Sequence, residues 1–140
     1  MTRRPAGRTR LAGIDRPGDA IRLEDFELTL RRLAVRDERF FHEALDGEEG
    51  SLVASRLDRK THSLAQITAL VAIDASPHSY AAQVEAARHA GATPEEIVGT
   101  LVAAIAVVGA PRVVSAAPKL GLALGYDLDA ALEDDLRLRG

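Results

Sequence analysis

The chain has 140 residues, with 18 Lys+Arg against 21 Asp+Glu and a formal net charge of −3. It has neither cysteine nor tryptophan. The length suits one domain with a real core. The charge argues against a nucleic-acid or anionic-membrane partner, and the missing cysteine excludes disulfides, thiolate metal sites and thiol catalysis.

Met1–Arg10 carries four arginines with no apolar run behind them. A secretory signal needs an apolar stretch of about 7–15 residues, so residues 1–20 are read as a flexible basic arm and the chain as cytoplasmic. Residues 21–140 are read as a single all-α domain. Leu23, Phe26, Leu30 and Leu33 recur at helical spacing over Leu23–Val35. Arg36–Leu45 follows, stopped at Asp46-Gly47, and Glu48–Arg56 adds a short helix. Asp58–Ile73 aligns Leu64, Ile67, Leu70 and Val71 on one face. Ser76-Pro77 reads as an N-cap with proline at the first helical position, and Gly91 closes that helix. Thr93-Pro94-Glu95-Glu96 is a capping box that starts a helix running to Gly109. Ile97–Ala110, the most apolar run, is too short to span a bilayer and predicts a buried helix. Pro111–Leu124 is next, ending at Gly125, and Asp127 or Asp129 caps a last amphipathic helix with Leu132, Leu136 and Leu138. The sum is about six or seven helices and no strand. Alanine and valine make up more than half of the apolar residues, a composition that lets helices pack closely.

Three stretches carry a family resemblance: Leu57-Asp58-Arg59-Lys60-Thr61-His62-Ser63-Leu64, Ala90-Gly91-Ala92-Thr93-Pro94-Glu95-Glu96-Ile97 and Gly109-Ala110-Pro111. In order they resemble the carboxymuconolactone decarboxylase family, which includes the alkylhydroperoxidase D proteins. The resemblance implies a compact all-α bundle of the alkylhydroperoxidase D type. It also implies a homo-oligomer, a trimer or hexamer, with sites near subunit contacts. The peroxidase branch carries Cys-x-x-Cys-x-x-x-His, with its His eight residues before the glycine of the second block. Counted back from Gly91, those places hold Ser76, Ser79 and Gln83. The branch's proton-relay Glu falls near Ser63 or Leu64. The decarboxylase branch has no such Cys pair, but it keeps the His that is Gln83 here. Its later His and Tyr fall on Ala103 and Val107.

Read from the residues themselves, Asp74, Ser76, His78, Ser79, Tyr80 and Gln83 form the densest polar cluster beside apolar helices. Ser79 and Gln83 are four apart and share a face. The plainest roles are an N-cap for Ser76, a loop or cap residue for Asp74, and solvated surface for His78 and His62. Arg112 opposes the dipole of the helix it begins, which favours a specific anionic partner. The working site assigns His78 and Tyr80 to proton handling. Ser76, Ser79, Gln83 and His62 serve as substrate-binding groups, and Arg112 as carboxylate anchor. No cofactor is expected, and no metal, because the histidines at 42, 62, 78 and 89 lack ligand spacing. Two functions follow as expectations. One is a divergent lyase-type enzyme acting on a small lactone or carboxylate metabolite, not a thiol peroxidase. The other is a non-catalytic homo-oligomer that binds a ligand or serves as a scaffold.

Overall fold

The computed structural model describes residues 17–140, with side chains from Phe26 onward. Among them are eight α-helices and no strand. They divide into two compact units that meet in sequence at Ala54 and Ser55, inside the stretch expected to form one domain.

The first unit holds α1 (Pro17–Ala34), α2 (Glu38–Ala44) and α3 (Gly47–Ser55). Residues 1–16 of the expected arm lie outside the described residues. Residues 17–20 are instead the first turn of α1, since proline at a helix start forfeits only an N–H that the helix does not use. Asp37 caps α2, its carboxylate accepting the Phe40 N–H at 2.9 Å. The Phe40 ring meets Phe41 edge-on, and the Arg32 guanidinium lies 5.9 Å from its centroid. Neither α2 nor α3 buries a residue fully.

The second unit is built from α4 (Arg59–Ala72), α5 (Pro77–His89), α6 (Pro94–Val108), α7 (Ala110–Ala123) and α8 (Leu128–Arg139). The helix α4 packs on α5 and α6, α7 packs on α5 and α6, and α8 lies against α7. The shared core is Ile67 and Val71 of α4, Tyr80, Val84 and Ala87 of α5, Ile97, Leu101 and Ala104 of α6, and Ala116 and Leu120 of α7. Each buried Ile, Leu or Val contributes about 1.5–3 kcal/mol relative to exposure. The buried alanines admit close backbone approach.

The helix ends follow local chemistry. Asp58 caps α4 by accepting the Thr61 N–H, and Asp127 caps α8 by accepting the Ala130 N–H, both at 3.1 Å. At α6 the reciprocal capping box is complete: Thr93 Oγ1 accepts the Glu96 N–H, and Glu96 Oε1 accepts the Thr93 N–H. The other oxygen of Glu96 meets Lys60 Nζ at 2.9 Å, tying the start of α6 to that of α4. Between α6 and α7 the chain turns at Gly109, with φ 85° and ψ 159°, a conformation closed to residues with a Cβ.

Candidate functional site

The helices α4 and α5 form a hairpin whose loop is Ile73–Ser76. Asp74 takes a left-handed conformation, φ 52°, which Asp tolerates better than most side chains. Its position lets its carboxylate reach α7. Oδ1 accepts Ser115 Oγ–H at 2.7 Å and Lys119 Nζ at 3.1 Å, while Oδ2 lies 3.8 Å from Arg112 Nη1. Lys119 also donates to the Ala75 carbonyl at 2.9 Å. The Ser115 hydrogen bond, followed by the Lys119 contact, holds the Asp74 carboxyl below its ordinary value. Asp74 is thus the clasp that fastens the hairpin loop to α7.

Ser76 sits at the N-cap of α5, but its hydroxyl bonds no helix N–H. Instead its Oγ is 3.4 Å from Ser79 Oγ, so the two hydroxyls face each other across the first turn. His78, on that same turn, is exposed. Tyr80 is 0 % exposed, and its hydroxyl has no hydrogen-bond partner. Burial, and secondarily the Asp74 charge, pushes the phenol upward, so it stays protonated at neutral pH. Gln83 lies one helical turn beyond, half-buried, with its Oε1 enclosed and unpaired.

A third unpaired oxygen is Gln66 Oε1 on α4. Gln66 follows Ser63 by three residues and His62 by four, so all three lie on one side of the helix. His62 is 4 % exposed, not the surface residue its place in the first turn of α4 suggested. The apolar periodicity of α4 runs through Ile67 and Val71, and the buried face is wide enough to take in His62 and Ser63 as well. Of the seven expected site residues, then, Tyr80, Gln83 and His62 are directed into the unit. Ser76 and Ser79 pair at its edge. His78 faces solvent, and Arg112, half-exposed, is already beside a carboxylate.

Gln66, Lys119 and Ser115 were not singled out from the sequence. Gln66 carried a signal, a polar residue on the buried side of α4. Lys119 and Ser115 carried none, because they meet Asp74 from more than 40 residues away. Among the described residues no three His, Asp or Glu side chains group as a metal ion requires. No helix among them is long and apolar enough to cross a membrane.

The model of the carboxymuconolactone decarboxylase family matches residues 39–120, from α2 to the end of the α7 core. The chain belongs to that family. Comparison with curated proteins and with solved structures gave no match. As a carboxymuconolactone decarboxylase family member it does without cysteine altogether. Two of the stretches that carried the resemblance meet in space through the Lys60–Glu96 ion pair, whose hydrogen bond also holds the Glu96 carboxyl below its ordinary value. The third is the α6–α7 turn at Gly109. These family stretches therefore do structural work around the hairpin.

Proposed function

We propose that this family member handles a small polar molecule at the α4–α5 hairpin by hydrogen bonding, without thiol chemistry. One observation carries the reading: Gln66 Oε1, Tyr80 Oη and Gln83 Oε1 are buried with no protein partner. A buried polar atom left unpaired costs about 1–3 kcal/mol, and native interiors hold few of them. Three on two packed helices support a site that a bound molecule completes. Tyr80, held protonated, is suited to donate to a carbonyl or hydroxyl oxygen. A proton-transfer step, if the protein catalyses one, falls to His62, the titratable group on the same side of α4 as Gln66. A ligand carboxylate has weaker support than it had in the sequence, since Arg112 and Lys119 both lie against Asp74.

The reading as a homo-oligomer, a trimer or hexamer by family habit, has its own support. On α6, Val98, Val102 and Ile105 form an exposed apolar stripe, each residue one position on from the buried stripe of Ile97, Leu101 and Ala104. It is compatible with catalysis and with a purely ligand-binding role.

The test is a thermal-shift screen of small metabolites, followed by titration of the wild type and Gln83→Leu with any stabilising compound. The substitution keeps the length and removes both hydrogen-bonding groups, so affinity should weaken by about 1–3 kcal/mol. Equal affinities would remove the hairpin from consideration.

A further inference from the structure

We infer that the hairpin site selects small uncharged molecules bearing primary amide or hydroxyl groups and discriminates against carboxylates. The inference rests on the reading that the hairpin binds a small molecule, and it names the class. The first argument is register. The loop runs from Ile73, the C-cap of α4, to Ser76, the N-cap of α5. Gln66 lies seven residues before Ile73 and Gln83 seven after Ser76. Both therefore stand about two turns, roughly 10 Å, from the loop on the two arms of the hairpin. Tyr80 is on the Gln83 arm, one turn nearer the loop.

The second argument is the balance of donors and acceptors. The two glutamine oxygens are enclosed and accept from nothing, and the Tyr80 hydroxyl donates to nothing. A molecule that completes all three must offer N–H or O–H groups to the glutamines and an oxygen to the tyrosine. Primary amides and hydroxyl compounds do both. They still do so if either glutamine amide turns over to present its nitrogen. With the two glutamine oxygens facing the site, as they do here, a carboxylate, which has only acceptors, would set its oxygens against two more.

The third argument is charge. Lys119 and Arg112, the two cations that α7 brings to the hairpin loop, are arranged around Asp74, and the Asp74 field already disfavours negative charge at Tyr80. An anion entering the site would lose its hydration without meeting an uncommitted cation from this group.

The experiment uses full-length protein and ligand-observed NMR with matched trios on two- to four-carbon skeletons: a diamide, its fully N-methylated form and the dicarboxylate, malonamide, tetramethylmalonamide and malonate being one trio. A diamide should bind at least tenfold more tightly than its methylated and anionic partners. Gln66→Leu and Gln83→Leu should each erase that preference, with circular dichroism confirming that the variants remain folded. If a dicarboxylate binds as tightly as its diamide, and Gln83→Leu abolishes both, the site stands and the selectivity is wrong. If no member of any trio binds, or if binding is indifferent to both glutamine substitutions, the selectivity and the hairpin site fall together.

Discussion

Replacing Tyr80 by Phe removes one oxygen and nothing else, and it should make the unliganded protein more stable. The ring is wholly enclosed among Val84, Ala87 and the rest of the α4–α7 core, and its hydroxyl has no partner there. Folding strips that hydroxyl of water and returns no hydrogen bond, at a cost of about 1–3 kcal/mol. Phenylalanine fills the same volume, so no cavity offsets the gain. Taking about 1–2 kcal/mol and a urea m-value near 2 kcal/mol/M, the midpoint should rise by roughly 0.5–1 M with m unchanged. The chain has no tryptophan, so helix loss followed by far-ultraviolet circular dichroism is the suitable probe. Tyr126→Phe is the control, since Tyr126 is exposed and should leave the midpoint in place. The comparison also has an alkaline signature. The folded-state phenol titrates above its ordinary value of 10.0, so its titration leaves stability unchanged below that pH. Above it, the unfolded chain releases a proton that the folded chain retains, and stability falls. Tyr80→Phe should lack that component of the alkaline decline. A midpoint lowered by 0.5 M or more, on the same order as the gain expected from removing an unpaired hydroxyl, would refute the reasoning, because it would mean that the hydroxyl has a partner worth keeping.

Gly109→Ala should destabilise by about 1–3 kcal/mol, measured by the same urea midpoint, because the turn between α6 and α7 uses a φ/ψ region that a Cβ forbids. Asp74→Asn should lower stability at neutral pH. The wild-type carboxyl titrates below its ordinary value of 3.8, so its contribution is present above that pH and is lost as pH falls through its folded value. The two proteins should therefore converge in acid, and a gap that persists unchanged to pH 2 would mean that the charge is not what matters. Val102→Glu places a charge in the middle of the exposed α6 stripe. Light scattering should show the wild type well above its 15.0 kDa chain mass and the variant nearer to it, with helix content unchanged.

Most of the fold was legible because its punctuation is local. The capping box at Thr93, the proline after Ser76, Gly109 and Asp127 each act within four residues, and they placed α5, α6, α7 and α8 to within a residue or two of where they lie. The start of α1 was misplaced because its first turn has little apolar periodicity and only proline marks it. The candidate site was half legible. Gln83 follows from counting back from Gly91 and Tyr80 from the polar cluster beside it; Tyr80 is buried and the Gln83 oxygen is enclosed. His62 was expected at the surface because position near a helix start says little about which neighbour covers the side chain. Arg112 did have the anionic partner that its unfavourable dipole position suggested, but the partner is Asp74, 38 positions back in the sequence, and no periodicity connects them. Long-range polar pairing is set by how helices dock, which one-dimensional patterning does not encode.

The two hydroxyls of Ser76 and Ser79, 3.4 Å apart at the start of α5, also decide how the protein relates to the oxidation state of its surroundings. Sulfur in such a place would climb from thiol to sulfenic acid to disulfide, and its state would follow the glutathione balance of the compartment. Oxygen does not. Peroxide finds no thiol to oxidise anywhere in the chain, and the single methionine stands at position 1. Whatever the hairpin binds, it should bind equally well under air and under excess reductant. The protein can be purified, screened and titrated without dithiothreitol, and a ligand effect that appears only on adding reductant would belong to the ligand.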